Sequence, residues 1–286
     1  MKVNAEGVEG DRSGRFEPLP AREDCAFCGA RGASVRARPD WAFLDGAYCI
    51  SLRSRPDRAA AAAAEFHRVG LCRRMLFYRP ERDHENPARG IWESHRAVAR
   101  HALARGLRRV LVTEDDVSFS RRIGAATVRR VGRALAALPP DWRIFYLGHL
   151  PLRAYPVRWN VLRTRSGCAH AYIAHRPLLE WLASTPFTPV PREYGGLVGR
   201  GIDAAFAAMP GAYAYFPMLA TQAPLASDHM IAGKKPIRKL KHLVTRSRLR
   251  EILLANVMRP AEWLALLLAP WWRCVGWPQT GFGHRA

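Results

Sequence analysis

The chain has 286 residues, 49% apolar and 10% aromatic, with 45 Lys+Arg against 24 Asp+Glu and a formal net charge of +21. That composition excludes a wholly disordered chain, and the length suits one sizeable α/β domain with tails or two small domains. The positive charge is almost all arginine, with only five lysines, and it points to anionic partners such as nucleotides, phosphorylated glycans or acidic lipids.

Residues 1 to about 44 are polar, aperiodic and rich in Gly, Pro and Arg, and they read as a flexible leader. The opening MKVNAEGVEGDRSG carries no apolar signal segment, which predicts a cytoplasmic chain with reduced thiols. Cys25-Ala-Phe-Cys28 is half of a zinc site. With no second C-x-x-C and no preceding strand, free thiols are the expectation.

AYCISL (47–52) is a short apolar run that predicts a strand. It hands over at Arg53-Ser54-Arg55-Pro56-Asp57-Arg58 to a helix opened by Pro56 and built on the alanine run 59–64. RMLFY (74–78) predicts a second strand. From Ile91 to Ala104 the spacing is helical, with Ile91, Ser94, His95, Val98 and Ala102 on one face. VLVT (110–113) is uniformly apolar, as a strand covered on both faces should be, and Glu114-Asp115-Asp116 follows at once. A helix over about 122–137, a strand at 143–148 ending in Gly148, a strand at 167–175, a helix opened by Pro177, a short helix over 202–209 and a strand at 212–216 complete the pattern. This alternation predicts a mostly parallel, three-layer sheet, in which ligands sit beyond the carboxyl ends of the strands. Arg53–Arg58, Glu114–Asp116 and Gly148-His149 all fall at expected strand ends, where a single nucleotide crevice would use them.

Three adjacent carboxylates repel one another and persist where a cation or a reacting group compensates them. Hard oxygen ligands suit magnesium or manganese bridging to a diphosphate, and the metal would stabilise charge on a departing nucleoside diphosphate. The competing reading is an acidic turn paired with nearby arginines.

Several segments in order resemble glycosyltransferase family 25, which includes bacterial lipooligosaccharide galactosyltransferases and collagen galactosyltransferases. They are Ile50-Ser51-Leu52-Arg53-Ser54-Arg55-Pro56-Asp57-Arg58; Gly90-Ile91-Trp92-Glu93-Ser94-His95; Glu114-Asp115-Asp116-Val117; Cys168-Ala169-His170-Ala171-Tyr172-Ile173; Ile202-Asp203; and Pro217 to Gln222 with Ser227-Asp228. The resemblance spans residues 47 to 229. It implies an α/β GT-A-type nucleotide-sugar domain with a Rossmann-like sheet, a UDP-sugar donor and a divalent cation, Mn²⁺ or Mg²⁺. Three departures stand out: Ile91 replaces a cysteine, the tryptophan beyond the Ser-His pair is absent, and Cys168-Ala169 replace a Gly-Thr pair.

The two-apart spacing favours Asp116 as metal ligand with Glu114 on the ribose or diphosphate, and Asp115 as the alternative ligand. Ser51, Arg55 and Arg58 sit where an anionic donor would meet the first strand and helix, the alternative for the arginines being solvation. Ser94 and His95 read as donor-site residues or as a hydrogen-bonded core pair, while His170 and Tyr172 share a strand face that would line a sugar pocket. Family members invert configuration and need a base. Asp203, which opens a short helix, is the first candidate, its alternative being a helix cap; Asp228 is the second.

The expected division is a leader (1–44), a transferase domain (45–231) and a basic, Trp- and Leu-rich tail (232–286). Eight Lys/Arg and no acid lie between Gly233 and Arg250, ahead of an apolar stretch broken by Arg259, Pro260 and Glu262. That pattern predicts attachment to an anionic membrane surface, beside a glycan or lipid-linked glycan acceptor such as lipopolysaccharide. No helix-turn-helix, zinc-finger or RNA-recognition signature supports specific nucleic-acid binding.

Overall fold

In the computed structural model of the protein, residues 14–29, 39–188 and 201–223 are described, and of 150–153 and 155 only the backbone. The expectations for Asp228 and for the tail from 232 onward lie outside those residues. In chain order the elements are β1 (Arg15–Pro18), β2 (Gly46–Ile50), α1 (Pro56–Val69), β3 (Met75–Arg79), α2 (Pro87–Ala104), β4 (Arg109–Glu114) and β5 (Val117–Phe119). They continue with α3 (Ala125–Ala136), β6 (Ile144–Arg158), β7 (Val161–His175), α4 (Arg176–Ser184), α5 (Ile202–Ala208), β8 (Ala212–Tyr215) and β9 (Ala220–Gln222).

Seven strands form one sheet in the order β1-β3-β2-β4-β7-β6-β8, and β5 and β9 pair separately. β3, β2, β4, β6 and β8 run in one direction, while β1 and β7 run against it. The protein is thus mixed α/β with a mostly parallel central sheet. From β2 the chain crosses through α1 to β3, then returns through α2 past β2 to β4. Right-handed crossovers in opposite directions put α1 and α2 on opposite faces, and the cores show it. Ala62, Phe66 and Val69 of α1 and Val128, Val131 and Leu135 of α3 pack with Cys49, Leu111, Phe145 and Ile173. On the other face Trp92, Val98 and Ala102 of α2, Leu178 and Leu182 of α4, and Phe206 of α5 pack with Tyr48, Val112, Tyr146 and Tyr172. Successive residues of β4 alternate between the two cores, which is why its sequence is apolar throughout. Each fully buried side chain of this kind contributes roughly 1.5–3 kcal/mol.

Local chemistry sets the helix ends. Pro56 opens α1, and Gly70 closes it in the left-handed region at φ 74°, its N–H reaching the carbonyls of Phe66 and His67. Asn86 caps α2 by accepting from Arg89 N at 3.1 Å, with Pro87 next.

Two expectations are corrected. The stretch expected as leader is tied in at two places: β1 adds antiparallel to β3, and Phe16 stacks on His101 at 3.8 Å. Trp41 and Leu44 are buried. A four-residue strand ending in proline is too short for alternation to reveal it. The strand expected to stop at Gly148 instead runs to Arg158 and turns at Asn160 (φ 63°) into β7, a hairpin of two 15-residue strands. Gly148 is required by packing, because a Cβ there would collide with the Ala220 carbonyl and the His170 ring. Among the described residues no helix is long and apolar enough to cross a membrane.

Candidate active site

Because β3 and β4 lie on either side of β2, the connections leaving β2 and β3 part toward α1 and α2 on opposite faces and open a crevice at the carboxyl ends of the strands. A cavity of about 230 Å³ occupies it. Its walls include Ile50 and Leu52 after β2, Arg58 in the first turn of α1, Ser94 and His95 of α2, Glu114-Asp115-Asp116 after β4, Asp203 of α5, and Gln222 of β9.

The acidic triplet divides its labour by direction. Asp115 is buried and pairs with the Arg58 guanidinium at 2.7 Å, the same nitrogen reaching Asp116 Oδ2 at 3.3 Å. Gln222 Nε2 donates to that Oδ2 at 3.4 Å, held in place because β9 pairs with β5 directly after the triplet. The other oxygen of Asp116, Oδ1, is buried and has no hydrogen-bond partner among the described residues. Burial, with Asp115 adding repulsion against the pull of Arg58, raises the Asp116 pKa to about 6. Glu114 is raised well above the carboxylate range, first by burial and then by Asp116, Asp203 and Asp115.

Neutral groups back the acids. Burial lowers the His95 pKa to about 3, so the ring is uncharged. Its Nδ1 shares a 2.7 Å hydrogen bond with the Tyr172 hydroxyl, and Nε2 lies 4.0 Å from Glu114 Oε1. If Tyr172 donates, Nε2 carries the hydrogen and directs it at Glu114. Ser94 Oγ donates back to the Gly90 carbonyl at 2.7 Å.

Asp203 follows Gly201, whose φ of 100° turns the chain into α5. Its carboxylate does not cap its own helix, which has no side-chain cap bond. Instead it accepts from Ala169 N at 2.9 Å and from the Cys168 amide. Cys168 is held at φ 72°, which turns these two neighbouring N–H groups toward one anion. Burial raises the Asp203 pKa. A non-glycine residue in the left-handed region costs about 1–3 kcal/mol, against roughly 0.5–1 kcal/mol for glycine's greater chain freedom. Cys168→Gly is therefore expected to stabilise the protein by about 1 kcal/mol in denaturant melts while keeping the Asp203 cradle. A loss of stability would mean the thiol's own contacts outweigh the strain.

Of the residues anticipated from sequence, the cavity gathers Arg58, Ser94, His95, Glu114, Asp115, Asp116 and Asp203. Tyr172 stands behind His95. The others lie elsewhere: Ser51 is buried with its Oγ accepting from Arg79 at 2.8 Å, and Arg55 forks onto Asp57 at 2.9 and 2.8 Å. His149 is buried against Ser166, and His170 packs beneath Gly148. Sequence reasoning passed over Glu81, Arg82 and Asp83, which line the cavity after β3. Their place at a strand's carboxyl end was the available signal. Asp83 also anchors Arg89 at 2.6 Å.

The raised Asp116 pKa has a signed consequence. Between 3.8 and about 6 the folded state holds a proton that the unfolded chain has released, so stability falls as pH rises through that window and stays reduced above it. Asp116→Asn, in which Arg58 retains Asp115, is expected to be more stable than wild type above pH ~6 by on the order of 2–3 kcal/mol. The difference should vanish toward pH ~4, and paired denaturant melts across that range would read it.

No protein-family model and no curated protein matches the chain. Among solved structures, A197 from STIV aligns with 67% of this chain and 98% of its own at 15% identity, with a TM-score of 0.35. A glycosyltransferase involved in the glycosylation of the major capsid of PBCV-1 aligns with 48% of this chain and 63% of its own at 10% identity, with a TM-score of 0.31. Likenesses this distant carry no functional argument.

Proposed function

We propose that the protein is a cation-dependent, inverting glycosyltransferase that moves a hexose, galactose in our reading, from a UDP-sugar to a glycan acceptor such as lipopolysaccharide. The observation that carries this reading is that Glu114, Asp115, Asp116 and Arg58 line one small cavity together with a further carboxylate, Asp203. The space suits the sugar-phosphate end of a donor.

The donor set fits Mn²⁺ or Mg²⁺. Asp116 Oδ1 is a buried oxygen lacking a partner among the described residues, and burial together with mutual repulsion raises the pKa values of Glu114 and Asp116, a cost that a bound cation would offset. Within the described residues the acids do not bring three ligand atoms within 4.8 Å of one another. Asp116 with Glu114 or Asp115 would supply at most two, leaving positions for diphosphate oxygens and water, as magnesium prefers. When bound, the cation supplies charge stabilisation for the departing diphosphate.

The chain's own residues do the rest. Arg58 adds a fixed positive charge beside the acids, and neutral His95, hydrogen-bonded to Tyr172, adds no positive charge that would repel the cation. As the acceptor hydroxyl attacks the anomeric carbon, the bond from that carbon to the diphosphate oxygen breaks and Asp203 takes the hydroxyl proton. A carboxylate whose pKa is raised by burial is a better base near neutrality than an exposed one. Attachment to an anionic membrane through the tail belongs to the same proposal and would hold the site near a lipid-linked acceptor.

A panel of nucleotide sugars, assayed for hydrolysis and transfer with and without manganese, tests the reading. UDP-hexose turnover lost with chelator is the expected result. Turnover of no nucleotide sugar, with no binding of UDP in the presence of manganese, would defeat it.

A further inference from the structure

At the far end of α1 lies a second cluster of ligating side chains that the proposed reaction does not use. We infer that Cys25, Cys28, His67 and Cys72 form a structural zinc site that fastens the N-terminal segment to the catalytic domain. One ligand atom from each lies within 4.8 Å of all the others, the only group of three or more metal-ligating side chains this close among the described residues. Three are buried and Cys28 half-buried.

The geometry matches a tetrahedron. Zinc–sulfur bonds of about 2.3 Å and zinc–nitrogen bonds of about 2.0–2.1 Å imply sulfur–sulfur edges near ~3.8 Å and sulfur–nitrogen edges near ~3.5 Å. Cys25 Sγ lies 3.9 Å from Cys72 Sγ, and Cys28 Sγ lies 3.5 Å from His67 Nδ1. The sulfur separation is far beyond the ~2.05 Å of a disulfide. Backbone N–H groups of Phe27 and Arg22 point at Cys25 Sγ and Cys28 Sγ at 3.4 and 3.5 Å, as donors placed for thiolates would.

The sequence spacing acquires a reason. His67 sits in the last turn of α1, and the left-handed Gly70 reverses the chain so that Cys72 faces back toward it. The Cys25-x-x-Cys28 half site thus finds its partners some 40 positions along the chain, not in a second C-x-x-C. Three thiolates and an imidazole close all four positions, so the ion would be structural and not catalytic. It would also be a different ion from the one at the acidic cavity, since Arg58 and His67 are nine residues or about 14 Å apart along the helix.

Full-length protein from zinc-supplemented cells, purified without chelator, tests the assignment by metal analysis and by replacement with cobalt. One zinc per chain is expected, together with thiolate-to-metal charge-transfer absorption in the near ultraviolet on cobalt exchange. Cys28→Ser should lose the zinc and that absorption and melt at lower temperature, whereas Cys168→Ser should keep both. Zinc-free wild-type protein whose cobalt form lacks charge transfer would overturn the assignment. So would a Cys25–Cys72 disulfide in peptide maps, or zinc retained at full occupancy in Cys28→Ser and Cys72→Ser alike. The wild-type cobalt spectrum decides the matter even if a variant fails to fold.

Discussion

Asp116→Asn is expected to remove sugar transfer almost entirely, by about 10³-fold or more in kcat, while the protein stays folded. Charge stabilisation by a bound cation is worth several kcal/mol, and each ~1.4 kcal/mol is a factor of ten in rate. Asparagine keeps the size of the side chain and the contact with Gln222 but removes the anionic oxygen at Oδ1, the atom with no protein partner among the described residues. The same variant should bind UDP no better with manganese than without. On the proposed reading stability and activity should therefore move in opposite directions, because the crowded negative charge whose relief stabilises the variant is also what would hold the cation. Wild-type turnover in the variant, or wild-type turnover indifferent to chelator, would remove the acidic triplet from the mechanism.

Asp203→Asn should lower kcat by about two to four orders of magnitude with UDP-sugar affinity nearly unchanged. The amide oxygen of asparagine can still accept from Ala169 N, so the tie to β7 survives and only basicity is lost. The pH profile separates the roles. In wild type the rate should rise with pH as Asp203 gives up its proton, from a pKa above the ordinary aspartate value. That limb should disappear in the variant. A melting-point drop with near-normal turnover would instead make Asp203 only a strut between α5 and β7.

Much of this was legible in the linear chain, for physical reasons that differ from element to element. The run VLVT followed by three acids announces a doubly covered strand meeting a crevice, because both signals are local. Pro56, the alanine run and Gly70 likewise fix α1 with neighbours alone. What failed to show was whatever depends on pairing across the chain. β1 owes its existence to β3, and β6 continues past Gly148 because β7 is there to pair with it. For Asp203 the position offered a helix cap as the alternative to a base, yet its partners are amides 34 and 35 residues earlier. Cys168 looked like a departure from the glycine of the resembled motif. Its positive φ explains why a glycine would suit that place.

The short strand β1 has one more consequence. β3 is a run of Met75, Leu76, Phe77 and Tyr78 whose outer backbone groups would otherwise face water, an invitation for another chain to add on. β1 occupies that rim with four residues, exposes Arg15 and Glu17, and ends at Pro18, which has no N–H to offer. The N-terminal segment thus covers the edge at which β3 would otherwise be open to another chain, as well as forming a piece of the fold. Colloidal behaviour at high concentration would then depend on a stretch that takes no part in the proposed reaction.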